Sequence, residues 1–183
     1  NDDQKQRWLP GIVDGSEILT FAVDEQPRHQ RDAIASKASA SDGGFLLSGA
    51  KTFVPEGMSA TTFVVAARND AGDIELFLVP ANADGVSRTQ MDTVDKRDHA
   101  RVTLTNVALP TEAHLAGMPS GELYEQVLNR ACAGVAMEML GVGCYSFEMT
   151  LDYLKTRKQF GKVIGSFQAL GHRAAELYSA QEM

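Results

Sequence analysis

One tryptophan, two cysteines and four histidines are all that a chain of 183 residues holds of those types, and each scarcity removes a class of protein. Two cysteines cannot build a disulfide-stapled scaffold or a thiolate metal cage. Cys132 and Cys144 fall on a segment that reads as one helix. At about 1.5 Å rise per residue they lie roughly 18 Å apart, too far to bridge. They are expected to be buried thiols in a reducing compartment, which makes a cytoplasmic location the expectation. His29, His99, His114 and His172 are scattered without metal-ligand spacing, so no metal site is expected. A secretory signal pattern and an apolar run of membrane-crossing length are both lacking, so no membrane span is expected. Positive charge is also in deficit: the net charge of −7 argues against a broad nucleic-acid surface.

What the chain does have is enough apolar residue, 44%, for a packed core in one large domain or two small ones. Residues 1–10 read as the tail of a helix ended by Pro10. Short apolar runs then follow at 18–23, 44–47, 62–67, 74–79, 85–87 and 100–104, with Asn69-Asp70-Ala71-Gly72 as a hairpin connection. Many short strands at this spacing predict an antiparallel β-barrel or sandwich. After Pro110 the texture changes. Leu115 to Gly121 is a loop with Ser120 as a cap, and Leu123, Val127, Leu128, Ala131, Val135, Met139 and Leu140 recur at helical spacing through about residue 156. Gly161 to Gly165 interrupts before a second helix from about residue 166. The fold class is therefore α+β: a β-domain followed by long helices of a bundle.

The most informative stretch is Arg157-Lys158-Gln159-Phe160-Gly161, with Gln168 seven residues beyond. A basic residue, an aromatic and a glycine between two helices are a poor choice for packing alone. Arginine presents a planar fork of donors to a diphosphate, Phe160 an apolar ring face, and Gln168 an amide that both donates and accepts. Residues 151–173 carry Lys155, Arg157, Lys158, Lys162 and Arg173 against Asp152 alone, which suits an anionic small molecule. A solvated basic turn is the alternative for the motif by itself.

The order and spacing of Gly49-Ala50-Lys51-Thr52-Phe53-Val54, Val107-Ala108-Leu109-Pro110, Leu128-Asn129-Arg130 and Tyr153 to Gly161 resemble the acyl-CoA dehydrogenase family. Gln4-Lys5-Gln6-Arg7-Trp8-Leu9-Pro10 resembles that family's entry into its central domain. The resemblance covers essentially the whole chain and divides it into the end of an amino-terminal helical domain (1–14), a central β-domain (15–118) and the start of a carboxy-terminal helical bundle (119–183). A fragment of a longer protein is the expectation. The resemblance implies FAD, α,β-dehydrogenation of an acyl-CoA thioester, and an electron-transfer flavoprotein as electron acceptor. It assigns Arg157, Phe160 and Gln168 to the flavin of a neighbouring subunit. Phe53 takes the place of the aromatic beside the flavin ring, with Val54 next to it, and a core phenylalanine is the alternative. Arg130 takes the place of an arginine on the CoA-binding side.

Departures from the pattern shape the functional expectation. Pro55 stands where the family has a hydroxyl residue, and it has no backbone N–H. The family's loop of small and hydroxyl residues reads Val23-Asp24-Glu25-Gln26-Pro27-Arg28-His29-Gln30, where Arg28 and His29 fill the space or form a different anion site. Asn129 stands where some members carry the catalytic glutamate, and an amide has no basic form near neutral pH. No catalytic base is assigned, and Glu122, Glu125 and Glu138 read as surface or structural carboxylates. The expectation is a half-site subunit, paired with a second acyl-CoA dehydrogenase chain in a heterotetramer. A complete catalytic subunit with its base elsewhere and a non-catalytic scaffold remain the alternatives.

Overall fold

The computed structural model describes residues 1–119 and 121–183. The proposed cap Ser120 lies outside the described residues. The chain divides into two compact units, Asn1–Gln126 and Val127–Met183.

The first unit opens with helix α1 (Asp2–Asp14), capped by the Asn1 side chain on the Gln4 N–H and closed by Gly15 at φ 79°. Pro10 does not end this helix. It lies inside it, because the acidic first turn, the capping box and the left-handed glycine define both ends more strongly than one lost N–H disturbs the middle.

Seven strands follow: β1 (Leu19–Ala22), β2 (Lys37–Ser41), β3 (Gly44–Pro55), β4 (Thr62–Arg68), β5 (Ile74–Pro80), β6 (Val86–Met91) and β7 (His99–Pro110). They form one curled sheet in the order β1-β4-β2-β3-β7-β6, with β5 also paired to β4. The sheet is mixed, not purely antiparallel: β4 runs parallel to β1 and, at one pair, to β2. Strand β2 was missed by hydrophobic pattern because Lys37-Ala38-Ser39-Ala40-Ser41 buries only Ala38. Its partner β3 supplies the apolar side chains instead.

The two twelve-residue strands carry the core. In β7 the buried set runs Ala100, Val102, Leu104 and then Val107, Leu109, so the alternation slips by one residue. The slip is a β-bulge. The Ser48 hydroxyl donates to Asn106 Oδ1 at 2.9 Å and accepts from the Asn106 N–H at 3.0 Å, with Asn106 at φ 47°. Phe63, Val65, Phe77 and Val79 close the core from β4 and β5.

Helix α2 (Glu122–Thr156) is 35 residues long. By length and composition it is long and apolar enough to cross a membrane, which corrects the expectation that no segment reaches that length. Core helices of bundles share that composition. Within Val127–Met183, α2 leads into a short hairpin of β8 (Lys158–Gln159) and β9 (Lys162–Val163), then α3 (Gln168–Glu182). Phe147 of α2 stacks at 6.4 Å on Tyr178 of α3. That helix covers only one stripe of α2, so the expected burial of the cysteines does not hold: Cys132 is exposed and Cys144 half-buried.

Replacing the interior proline should strengthen α1. Pro10→Ala is expected to raise the unfolding free energy by about 1–3 kcal/mol, read as a higher urea midpoint at unchanged slope.

Candidate flavin and nucleotide site

Phe53 and Val54 sit in the first unit, Arg130, Arg157, Phe160 and Gln168 in the second. At the end of β3 the register to β7 shifts between Lys51 and Val54. Phe53 sits in that irregularity at φ 50°, a left-handed conformation that a bulky residue adopts only under constraint. Its ring is 40% exposed, so Phe53 is not the core phenylalanine of the alternative reading. Val54 turns inward and is buried in the core.

The donors of this strand end are engaged. Thr52 N–H donates to the Asp24 carbonyl at 2.7 Å, and Phe53 N–H points at the Met91 sulfur at 3.4 Å. Pro55 has no N–H, and its carbonyl accepts from the Thr20 hydroxyl at 2.5 Å. Thr52, Phe53 and Met91, with Glu25, Pro27, Lys51 and Arg101, line a cavity of about 350 Å3.

The loop over residues 24–31, where the resemblance calls for glycine and hydroxyls, is held by charge. Lys51 is fully buried, and its ammonium donates to Glu25 Oε1 at 2.6 Å and to the Val23 carbonyl at 3.3 Å. Glu25 also accepts from the Ser36 N–H, the Ser36 hydroxyl and the Ala35 N–H. The sequence shows one sign of this pair, a lysine among the mostly apolar residues of β3, and nothing in the loop marks Glu25 as its partner. His29 Nδ1 contacts Asp24 Oδ1 at 2.7 Å. Arg31 forms a bidentate pair with Glu125, and the Tyr124 hydroxyl donates to the Arg31 carbonyl at 2.6 Å. Glu125 is thus structural, as expected from sequence. Burial, with Asp32 and Asp24 adding, pushes the Tyr124 hydroxyl up to about 12, so it stays a donor.

Burial alone would raise the Glu25 carboxyl. The bonds from Lys51 and Ser36 together outweigh it and hold the group below its ordinary 4.5. Burial likewise draws the Lys51 ammonium down, and Glu25 restores only part of that loss. Because the folded carboxyl is depressed, its stabilisation is complete above about pH 4.5 and is lost as pH falls through the folded value.

In the second unit, β8 and β9 pair Lys158 with Val163 and Gln159 with Lys162, leaving Phe160 and Gly161 as a two-residue connection. Both have positive φ, 51° and 78°, the backbone of a type I′ turn. The Phe160 ring is 91% exposed and touches Phe167 edge-on at 6.2 Å. Lys162 Nζ lies 4.5 Å over the Phe167 ring. Arg157 is exposed, and among the described residues only its backbone is engaged: its N–H donates to Tyr153 and its carbonyl accepts from Ile164, each at 2.9 Å. Gln168 begins α3 with an exposed side chain, and Arg130 is exposed on α2. Arg157, Phe160 and Gln168 thus share one hairpin and the helix start after it. No group of three potential metal ligands exists among the described residues.

Removing one partner of the buried pair leaves the other charge in the core. Lys51→Ala is therefore expected to lower the unfolding free energy by about 3–5 kcal/mol, measured by urea unfolding at neutral pH. Lys51→Met with Glu25→Leu should recover most of it. Below pH 4.5, the unfolding midpoint of the parent chain should fall faster than that of Glu25→Gln.

Residues 21–107 match the family profile described as acyl-CoA dehydrogenase, middle domain, and residues 121–183 the one described as acyl-CoA dehydrogenase, C-terminal domain. Acyl-CoA dehydrogenase FadE12 of Mycobacterium tuberculosis (strain ATCC 25618 / H37Rv) is 31% identical over 197 aligned positions, covering 100% of this chain and 49% of that protein. A glutaryl-CoA dehydrogenase of Mycobacterium smegmatis, solved in complex with FADH2, superposes with a TM-score of 0.82 at 26% identity, covering 100% of this chain and 49% of its own. The ChsE4-ChsE5 complex of Mycobacterium tuberculosis gives 0.80 at 29%, covering 94% and 45%. The chain spans about half the length of the relatives it matches. It belongs to the acyl-CoA dehydrogenase family.

Proposed function

We propose that this chain is a subunit of a flavin-dependent acyl-CoA dehydrogenase that lends Arg157, Phe160 and Gln168 to a partner chain's FAD and lacks a complete flavin site of its own. One contrast carries the reading. The hairpin holds an aromatic at positive φ with its ring 91% exposed, beside an arginine whose side chain is unengaged among the described residues. Strand β3, by comparison, has its donors at 52, 53 and 55 either engaged or absent.

The residues of the second unit fit a dinucleotide. The Arg157 fork suits a diphosphate, the Phe160 face a flat ring, and the Gln168 amide a base edge. Arg130 supplies a cation toward the acyl-CoA. Bound FAD supplies the hydride acceptor for α,β-dehydrogenation of the thioester. Asn129 cannot take the α-proton, so the base comes from outside these residues. The structure named as a ChsE4-ChsE5 complex supports pairing of two unlike chains, here in a heterotetramer served by an electron-transfer flavoprotein. The FADH2 complex of the glutaryl-CoA dehydrogenase supports the cofactor.

The full chain purified alone should be colourless, and co-purification with a second acyl-CoA dehydrogenase chain should give one flavin per pair. In that complex Arg157→Ala should weaken flavin binding about ten- to a hundredfold, from roughly 1.5–3 kcal/mol for a hydrogen bond to a charged group, with unchanged far-UV circular dichroism. A yellow, dye-reducing lone chain would reject the half-site reading in favour of a complete catalytic subunit. Absence of flavin from the complex would leave a scaffold.

A further inference from the structure

We infer that Met91 is an internal plug: its thioether occupies the acceptor position in front of β3 and excludes a planar ring with carbonyl acceptors from this chain's own cavity. The inference rests on the half-site reading and names the residue that enforces it. Met91 ends β6, opposite His99 of β7. Its sulfur lies 3.6 Å from the Thr52 hydroxyl and 3.4 Å from the Phe53 nitrogen, with both groups donating to it. Thr52 is only 8% exposed, so its hydroxyl has little recourse to water.

A thioether is a weak acceptor, and two donors directed at one are poorly satisfied. A carbonyl oxygen would satisfy them better, so the site has the chemistry of an oxygen-acceptor pocket with its acceptor supplied from within. The rest of the lining agrees. Glu25 is committed to Lys51 and Ser36, Phe53 and Pro27 give apolar walls, and Arg101 has no side-chain partner among the described residues. Met91 forms one wall of the cavity of about 350 Å3, and displacing its side chain would enlarge that cavity and leave two donors without their acceptor, beside an unneutralised guanidinium. A flat, carbonyl-bearing ring with electron-rich edges is the matching ligand class, and lumiflavin is a direct probe of it.

The test uses the full chain with three substitutions. Met91→Ala removes bulk and acceptor, Met91→Leu removes only the acceptor, and Met91→Gln keeps the bulk and adds an oxygen acceptor. Fluorescence titration with lumiflavin should show at least tenfold tighter binding for Met91→Ala than for the parent, and no gain for Leu or Gln. Amide hydrogen exchange at Phe53 should quicken in Met91→Leu and stay slow in Met91→Gln. No gain in Met91→Ala at unchanged circular dichroism overturns the plug. Should Met91→Ala fail to fold, parent-like exchange at Phe53 in Met91→Leu overturns it independently. A full equivalent of FAD on the unaltered lone chain defeats the half-site reading and the plug together, whereas no gain in Met91→Ala defeats the plug alone.

Discussion

The first unit depends on an ammonium and a carboxylate buried against each other between β3 and the loop before β2. Lys51 could not be fully buried without a partner, because an isolated charge in the interior is too costly. Glu25 provides that partner, and Ser36 and Ala35 complete its hydrogen bonds. The pair ties the loop to the sheet at one fixed height. From there Asp24 receives the Thr52 N–H and contacts His29, and the residues around the cavity take their places.

Strain marks the two aromatic residues of interest. Phe53 and Phe160 both hold positive φ, which costs on the order of 1–2 kcal/mol for a residue with a Cβ. Neither recovers that cost by full burial, since one ring is 40% exposed and the other 91%. In β3 the strain arises from a bulge, and in the hairpin from a two-residue turn whose geometry demands it.

Several elements were legible before the fold was known. The runs at 62–67 and 74–79 lie within β4 and β5, and the helical spacing after residue 121 became α2. Strand β2 is hard to read because its alternating positions are alanine and serine, too small to give a strong apolar contrast, and only Ala38 is buried. Pro10 misled because its rule is local, while the helix ends are fixed by capping at Asn1 and Gly15. The candidate residues Arg157, Phe160 and Gln168 were readable from residue type and spacing. Met91 was not, since a methionine at a strand end says nothing about which donors face it.

The sequence by itself determined the family, the α+β class and the candidate set on the hairpin, because periodicity, glycine positions and motif spacing are properties of the linear chain. Only the tertiary structure decided that Lys51 meets Glu25, that Phe53 turns outward while Val54 turns in, and that a sulfur sits on two donors. The contacts span 26, 38 and 39 residues of separation. Their existence depends on strand register and bulge position, which are set by the packing of the whole sheet and not by any neighbouring residues.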